Sequence, residues 1–188
     1  MTVAPPTRII VGASSQDDPG WAQTQQDELD ITRWADWTTM FTPGALTHIL
    51  SEHVWEHLTF DEARLAATHC FAMLAPGGRV RCAVPDGNFP DDDYQCTVQI
   101  GGPGPAGHPA ASHKVIYTWD TLTAVFEQAG FEVRLLEWCD DEGVFHATDW
   151  DARDGFVYRS LRFDHRNQHG QLRFVSLIID ATKPGEGR

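Results

Sequence analysis

Cysteine is scarce in this chain: four in 188 residues, at positions 70, 82, 96 and 139. No two form a CxxC pair, so a closed thiolate zinc site is not expected, and a disulfide scaffold does not suit a chain of this length. The reading is a reduced, cytoplasmic protein with no resident metal. Basic charge is also short. Fourteen Lys and Arg stand against 27 Asp and Glu, a formal net charge of −13. Phosphate backbones repel such a chain, and no local basic patch offsets this, so no nucleic-acid partner is expected. No apolar run approaches the ~20 residues that span a bilayer, so no membrane partner is expected either. The opening MTVAPPTR has neither a basic start nor an apolar stretch, so no secretory leader is read there. Internal repeats and long linkers are missing, and the length suits one domain over residues 1–188.

Apolar residues make up 41% and charged residues 22%, a balance that supports a packed core. Seven Trp and ten Phe belong mostly to that core, but aromatics also line small-molecule pockets. Residues 8–12 (RIIVG) read as a buried strand ending in a turn, residues 13–20 as turn chemistry, and residues 21–25 as a second short strand. Residues 33–41 read as a short helix and 46–51 as a third strand. The strongest local signal lies at 59–78. Thr59 and Glu62 are spaced as a capping box, and Ala63, Ala66, Ala67, Cys70, Phe71 and Leu74 form one helical stripe. Pro76, Gly77 and Gly78 are expected to end that helix. Val80, Cys82 and Val84 then alternate along a strand that Pro85 stops.

Residues 85–113 read as a long Gly/Pro/Asp-rich loop of the kind that acts as a lid. Leu122, Val125, Phe126 and Ala129 give 119–129 an amphipathic helical face. Residues 131–138 and 172–182 read as strands, separated by an excursion over 139–171, and the KPGEGR tail is expected to fray. Strands alternating with helices imply an α/β domain with a largely parallel sheet. The last two strands have no helix between them and are expected to pair antiparallel.

The order of segments is recognisable: a strand ending in Gly, then PGW, DELDIT, ILSEHVWEHL, LAPGGRVRCAVPDG, SHKVIYTWDTL, EQAGFEV and FHATDWD. This resembles the class I, Rossmann-like S-adenosylmethionine (SAM)-dependent methyltransferases. The match is to the compact group carrying EHVxEHL and LKPGG-type motifs, over about residues 8–183. The resemblance implies a twisted sheet with helices on both faces and an antiparallel C-terminal strand. It also implies SAM as cofactor, lying across the carboxyl ends of the strands, with Gly12, Ala13 and Ser14 forming the turn beneath it. The family pattern has Gly where Ser14 and Ser15 stand, and an acid near Gln25, the residue expected to bond the ribose; Asp27 and Asp30 are neighbouring substitutes.

Glu52-His53-Val54-Trp55-Glu56-His57 is the densest ionisable cluster. Glu52 and His53 are expected at the pocket mouth, Glu52 against cofactor, with Glu56 or His57 behind. His53, His57 and His113 are the candidate catalytic bases, since a His beside carboxylates titrates near neutrality. The plainer reading makes His57 a core histidine bonded to a carbonyl and His113 a loop histidine. Formally His53-x-x-Glu56-His57 also matches the inverted zinc-protease motif HxxEH. Trp21, Trp55 and Trp119 are candidate walls around a sulfonium. His146, Asp149, Trp150 and Asp151 could make a lid for a cationic substrate, or a plain surface hairpin. Asp91–Asp93 reads as a solvated loop, His108 as bland, and Phe156, Tyr158 and Phe163, alternating with Arg159 and Arg162, as a packed strand pair. The functional expectation is a SAM-dependent methyltransferase with a small-molecule substrate. Its alternatives are a methyltransferase scaffold doing elimination or cyclisation, and a subunit serving a heteromeric partner; a homodimer is also left open.

Overall fold

The computed structural model describes residues 6–185. It begins with Ile9, Ile10 and Val11, all buried in strand β1 (Arg8–Val11). A β-branched run of this kind suits a strand covered on both sides. β1 lies between β2 (Ala22–Thr24) and β3 (Leu46–Glu52), parallel to both. Helix α1 (Trp34–Met40) connects them, and β3 pairs parallel with β4 (Leu74–Pro85).

Helix α2 (Phe60–Met73) carries the capping box: Thr59 Oγ1 accepts from Glu62 N–H at 3.3 Å, and Glu62 accepts from Thr59 N–H at 2.7 Å. Its buried face holds Ala63, Ala66, Ala67 and Cys70, small side chains that let the helix sit close to the sheet. α2 ends at Met73, earlier than the Pro-Gly-Gly signal. The chain turns straight into β4 at Leu74, so Pro76, Gly77 and Gly78 lie at the start of that strand.

The expected long loop after β4 contains helix α3 (Asp92–Val98), because Asp91 accepts from Tyr94 N–H and caps it. The acidic run is therefore a cap and first turn rather than loop. A short 3-10 turn follows at Pro109–Ser112, then helix α4 (Trp119–Gln128) and strands β5 (Glu132–Cys139) and β6 (Phe145–Ala147). β7 (Ser176–Thr182) inserts antiparallel between β4 and β5, giving the sheet order β2-β1-β3-β4-β7-β5-β6. The expected antiparallel pairing of the last long strands is present. The strand is shorter than 172–182 because Asn167 takes its backbone groups: its side chain accepts from Arg173 and Phe174 N–H and donates to Phe174 C=O.

Alternation along the strands sorts the core into two faces. Ile9, Val11, Ile49, Cys82, Val84 and Ile179 face α1, α2 and α4. Ile10, Leu50, Ala83 and Ile178 face the segment following β6, under Trp21 and Trp150. That segment holds two 3-10 turns and no strand. Asp151 and Asp164 accept from Arg153 and Arg166 N–H, local bonds that compete with a ladder, so the expected strand pair at Phe156–Phe163 is replaced by an aromatic cluster. Arg81 and Asp180 sit opposite one another on β4 and β7 and form a buried bidentate pair beneath this cover. The tail is held at its first residue: Lys183 Nζ donates to the Phe71 and Leu74 carbonyls. Residues 1–5 and 186–188, which carry the expectations about a leader and about most of the tail, lie outside the described residues.

Candidate functional site

The carboxyl ends of the parallel strands β1, β2 and β3 open on one edge of the sheet, where open α/β sheets bind ligands. A cavity of about 380 Å³ lies there, within the ordinary range for small-molecule sites. Val11, Leu29, Ile31, Val54 and Leu58 supply its apolar wall. Gln25, Asp30, Thr32, His53, His57, Glu62 and Lys114 supply its polar rim.

Gly12 forms the floor with φ +62°, and an added Cβ would stand 2.6 Å from Val54 Cγ2. Only Gly fits there. Ser14 follows with φ +51°, a left-handed conformation costly for a residue with a Cβ. Gln25 explains how it is held: its Oε1 accepts from Ser14 N–H at 3.2 Å and its Nε2 donates to Ser14 C=O at 3.0 Å. Only an amide can do both, since a carboxylate cannot donate. Gln25 thus lines the cavity while stapling the turn, which accounts for an amide at the position where an acid was expected. Asp30, the neighbouring substitute, also lines the cavity, with Oδ1 accepting from Thr32 N–H and Oγ1. Asp27 does not line it.

The other two cofactor candidates lie on the far side of the β1 turn. Ala13 packs into the second-face core. It also lines, with Gly12 and Ser14, an adjoining hollow of about 400 Å³ into which Glu52 points. There its carboxylate accepts from the Tyr158 and Arg159 N–H groups and pairs with the Arg159 guanidinium, fixing the covering segment. Glu52 is the last residue of β3 and His53 leaves the strand with φ +55°, and the two line different hollows. The strand passes into a 3-10 turn at Trp55–His57.

The three candidate histidines gather around Glu56. His53 lines the cavity, with Nδ1 3.1 Å from Glu56 Oε1 and Nε2 3.0 Å from Ser176 Oγ. His57 also lines it, with Nδ1 2.9 Å from Ser112 Oγ. His113 is buried behind them, Nδ1 2.7 Å from Val98 C=O and Nε2 3.9 Å from Glu56 Oε1. The backbone brings it there: Glu56 C=O accepts from Lys114 and Val115 N–H. Burial alone would push the Glu56 carboxyl up, but His53 beside it holds it below the ordinary range. Desolvation lowers the His113 imidazole. Sequence reasoning did not single out Glu56 as the centre of this group; its flanking His53 and His57 were the available signal.

The tryptophan walls are not found. Trp55 is wholly buried against Phe126, Trp119 donates to Asp141, and Trp21 packs on His48 over the second face. Trp150 does face cations, but they are the chain's own Arg81 and Arg162, 4.8 and 5.0 Å from its ring. His146 pairs with Asp140 at 2.6 Å and stacks on Trp138, away from both cavities. His108 caps the 109–112 turn by accepting from Ala110 N–H.

No protein-family model matches the chain. No curated protein sequence matches it either. Solved structures do. A CurJ carbon methyltransferase aligns with 97% of the chain at 13% identity and a TM-score of 0.54. A SAM-dependent methyltransferase from Archaeoglobus fulgidus aligns with 93% at 14% identity and a TM-score of 0.51. A chain of the Haloferax volcanii complex formed with the Trm112 methyltransferase activator aligns with 100% at 14% identity and a TM-score of 0.50. The chain spans 86% of that protein, 75% of the Archaeoglobus protein, 50% of the CurJ protein and 38% of the methyltransferase SibL. At these identities the likeness is one of fold: a Rossmann-like methyltransferase architecture with an antiparallel β7.

Proposed function

We propose that this chain is a SAM-dependent methyltransferase acting on a small molecule. The observation that carries the reading is the cavity over Gly12, built at the strand crossover of a methyltransferase-like sheet. Its donors suit an adenosyl group. Gly12 permits close backbone approach, Leu29 and Ile31 offer a flat apolar side, and Asp30 and Gln25 offer polar atoms at the rim. Bound SAM supplies an electrophilic methyl group. Methyl transfer is an in-line displacement, so the protein's task is chiefly to align the acceptor. His53 lines the cavity and serves as the base in this reading: its Nε2 would take the acceptor's proton in exchange for the contact with the Ser176 hydroxyl, and the Glu56 carboxylate beside Nδ1 would stabilise the resulting imidazolium. His57 and His113 complete the polar ring around Glu56, and Ser176 fixes the orientation of the His53 ring.

The test is calorimetric titration of the purified chain with SAM and with its demethylated product. Micromolar binding is expected. Gly12→Ala, whose Cβ meets Val54, is expected to abolish binding, with circular dichroism reporting whether the fold persists. Absence of heat at high protein concentration would overturn the proposal.

A further inference from the structure

Glu56 is wholly buried, yet neither of its carboxylate oxygens has a hydrogen-bond partner. His53 Nδ1 stands 3.1 Å from Oε1 but outside hydrogen-bonding alignment. A buried carboxylate is unfavourable unless donors or a cation meet it, and His53 stands beside Oε1 alone, which leaves Oε2 with no partner. His113 sharpens the point. The Val98 carbonyl, 2.7 Å from His113 Nδ1, can only accept, so Nδ1 carries the hydrogen when this ring is neutral. Nε2 then holds a lone pair towards Glu56 Oε1, 3.9 Å away. Two acceptors face one another across a gap.

His57 closes the third side. Its ring packs edge-on against His113 at 4.9 Å, and the Ser112 hydroxyl holds its Nδ1. Ligand atoms of Glu56, His57 and His113 all lie within 4.8 Å of one another. Tetrahedral zinc sets its ligand atoms about 3.3 Å apart, so small side-chain rotations close the set. The Nδ1–H bond from His113 to a backbone carbonyl is the outer support that metal-binding imidazoles ordinarily have.

We propose that Glu56, His57 and His113 bind one divalent transition-metal ion of the zinc class. Two imidazoles and one carboxylate suit that class and leave a fourth position for water or a substrate oxygen. His57 lines the cavity, so that position adjoins it. This departs from the sequence reading, which expected no metal and whose formal HxxEH match paired His53 with His57. The second imidazole is His113 instead, delivered by the Glu56 carbonyl's bonds to residues 114 and 115. The inference does not rest on methyl transfer.

The experiment uses the full chain stripped with a chelator, titrated with Co²⁺ in the visible range and with Zn²⁺ by calorimetry. One ion per chain, the intense bands of four-coordinate Co²⁺ and displacement by Zn²⁺ are expected. His57→Ala and Glu56→Gln should each weaken binding at least tenfold, while His146→Ala, away from the site, should leave it unchanged. His57 is only partly buried, so its variant keeps the test decisive if Glu56→Gln fails to fold. A Co²⁺ spectrum unchanged from the hydrated ion would overturn the proposal, as would equal Zn²⁺ affinity in His57→Ala and the parent. Titration of the stripped chain with the demethylated cofactor separates failure here from failure of the methyltransferase reading.

Discussion

Arg81→Met should be among the most damaging single changes in the second face of the sheet. Arg81 is 1% exposed, and its Nε and Nη2 each lie 2.7 Å from an Asp180 oxygen. Its Nη1 also donates to the carbonyls of Asp151 and Gly155, and its guanidinium lies 4.8 Å from the Trp150 ring. Methionine fills similar volume but leaves Asp180 buried with Arg79, 3.9 Å away, as its one remaining cation among the described residues. Removing one partner of such a buried pair costs about 3–5 kcal/mol, a large share of the ~5–15 kcal/mol that stabilises a typical domain. For a chain of this length that corresponds to a fall in Tm of roughly 10 °C. Urea unfolding followed by tryptophan fluorescence measures the loss. The double variant Arg81→Met/Asp180→Leu removes both charges and should recover most of it, because the penalty lies in the orphaned carboxylate. A loss below about 1 kcal/mol in the single variant would refute this account of how the covering segment is held.

Gln25→Glu keeps the bond from Ser14 N–H but loses the one to Ser14 C=O, so it should destabilise by about 1 kcal/mol. Adding Ser14→Gly, which relieves the left-handed strain, should offset that loss in a double-mutant cycle. Thr59→Ala should cost about 1 kcal/mol through loss of the α2 cap. The Glu62 side of that cap carries a pH signature, because the Thr59 N–H and Lys114 hold its carboxyl at about 2. A depressed acid stabilises the fold above its unfolded pKa of about 4.5 and loses that contribution as pH falls through about 2. The Tm gap between the parent and Glu62→Gln should therefore be constant above pH 5 and narrow towards pH 2. Burial pushes the thiols of Cys70 and Cys139 up to about 12 and that of Cys82 well above its usual value, while Cys96 is exposed. A thiol reagent should therefore label one cysteine quickly in the folded chain and all four after denaturation.

The parts of the fold legible in the sequence are those fixed by near neighbours. The Thr59–Glu62 box, the alanine stripe of α2, the alternation of Val80, Cys82 and Val84, and the β-branched run of β1 each set their own local conformation. Where a distant side chain intervenes, the pattern misleads. Asn167 takes over the backbone of 173–174, so an apolar run is not strand there. Arg81 and Arg162 occupy the faces of Trp150, so an aromatic beside acids is not a lid for a foreign cation. Gln25 stands out in the sequence only as the residue where the family has an acid, because its pair of hydrogen bonds to Ser14 depends on a φ that the letters do not record. His53, His57 and His113 were each visible as ionisable residues. Their common centre at Glu56 depends on a 3-10 turn and on Glu56 C=O reaching residues 114 and 115, neither of which leaves a local signal.

The central claim is that an adenosyl group rests over Gly12, and a crystal structure grown with S-adenosylhomocysteine tests it most directly. The account predicts the nucleoside lying between Gly12 and residues 30–32, its ribose within reach of Gln25 or Asp30 and its sulfur on the His53 side. Val54 and Leu58 packed across that space, or the ligand bound away from the carboxyl ends of β1 and β3, would contradict it.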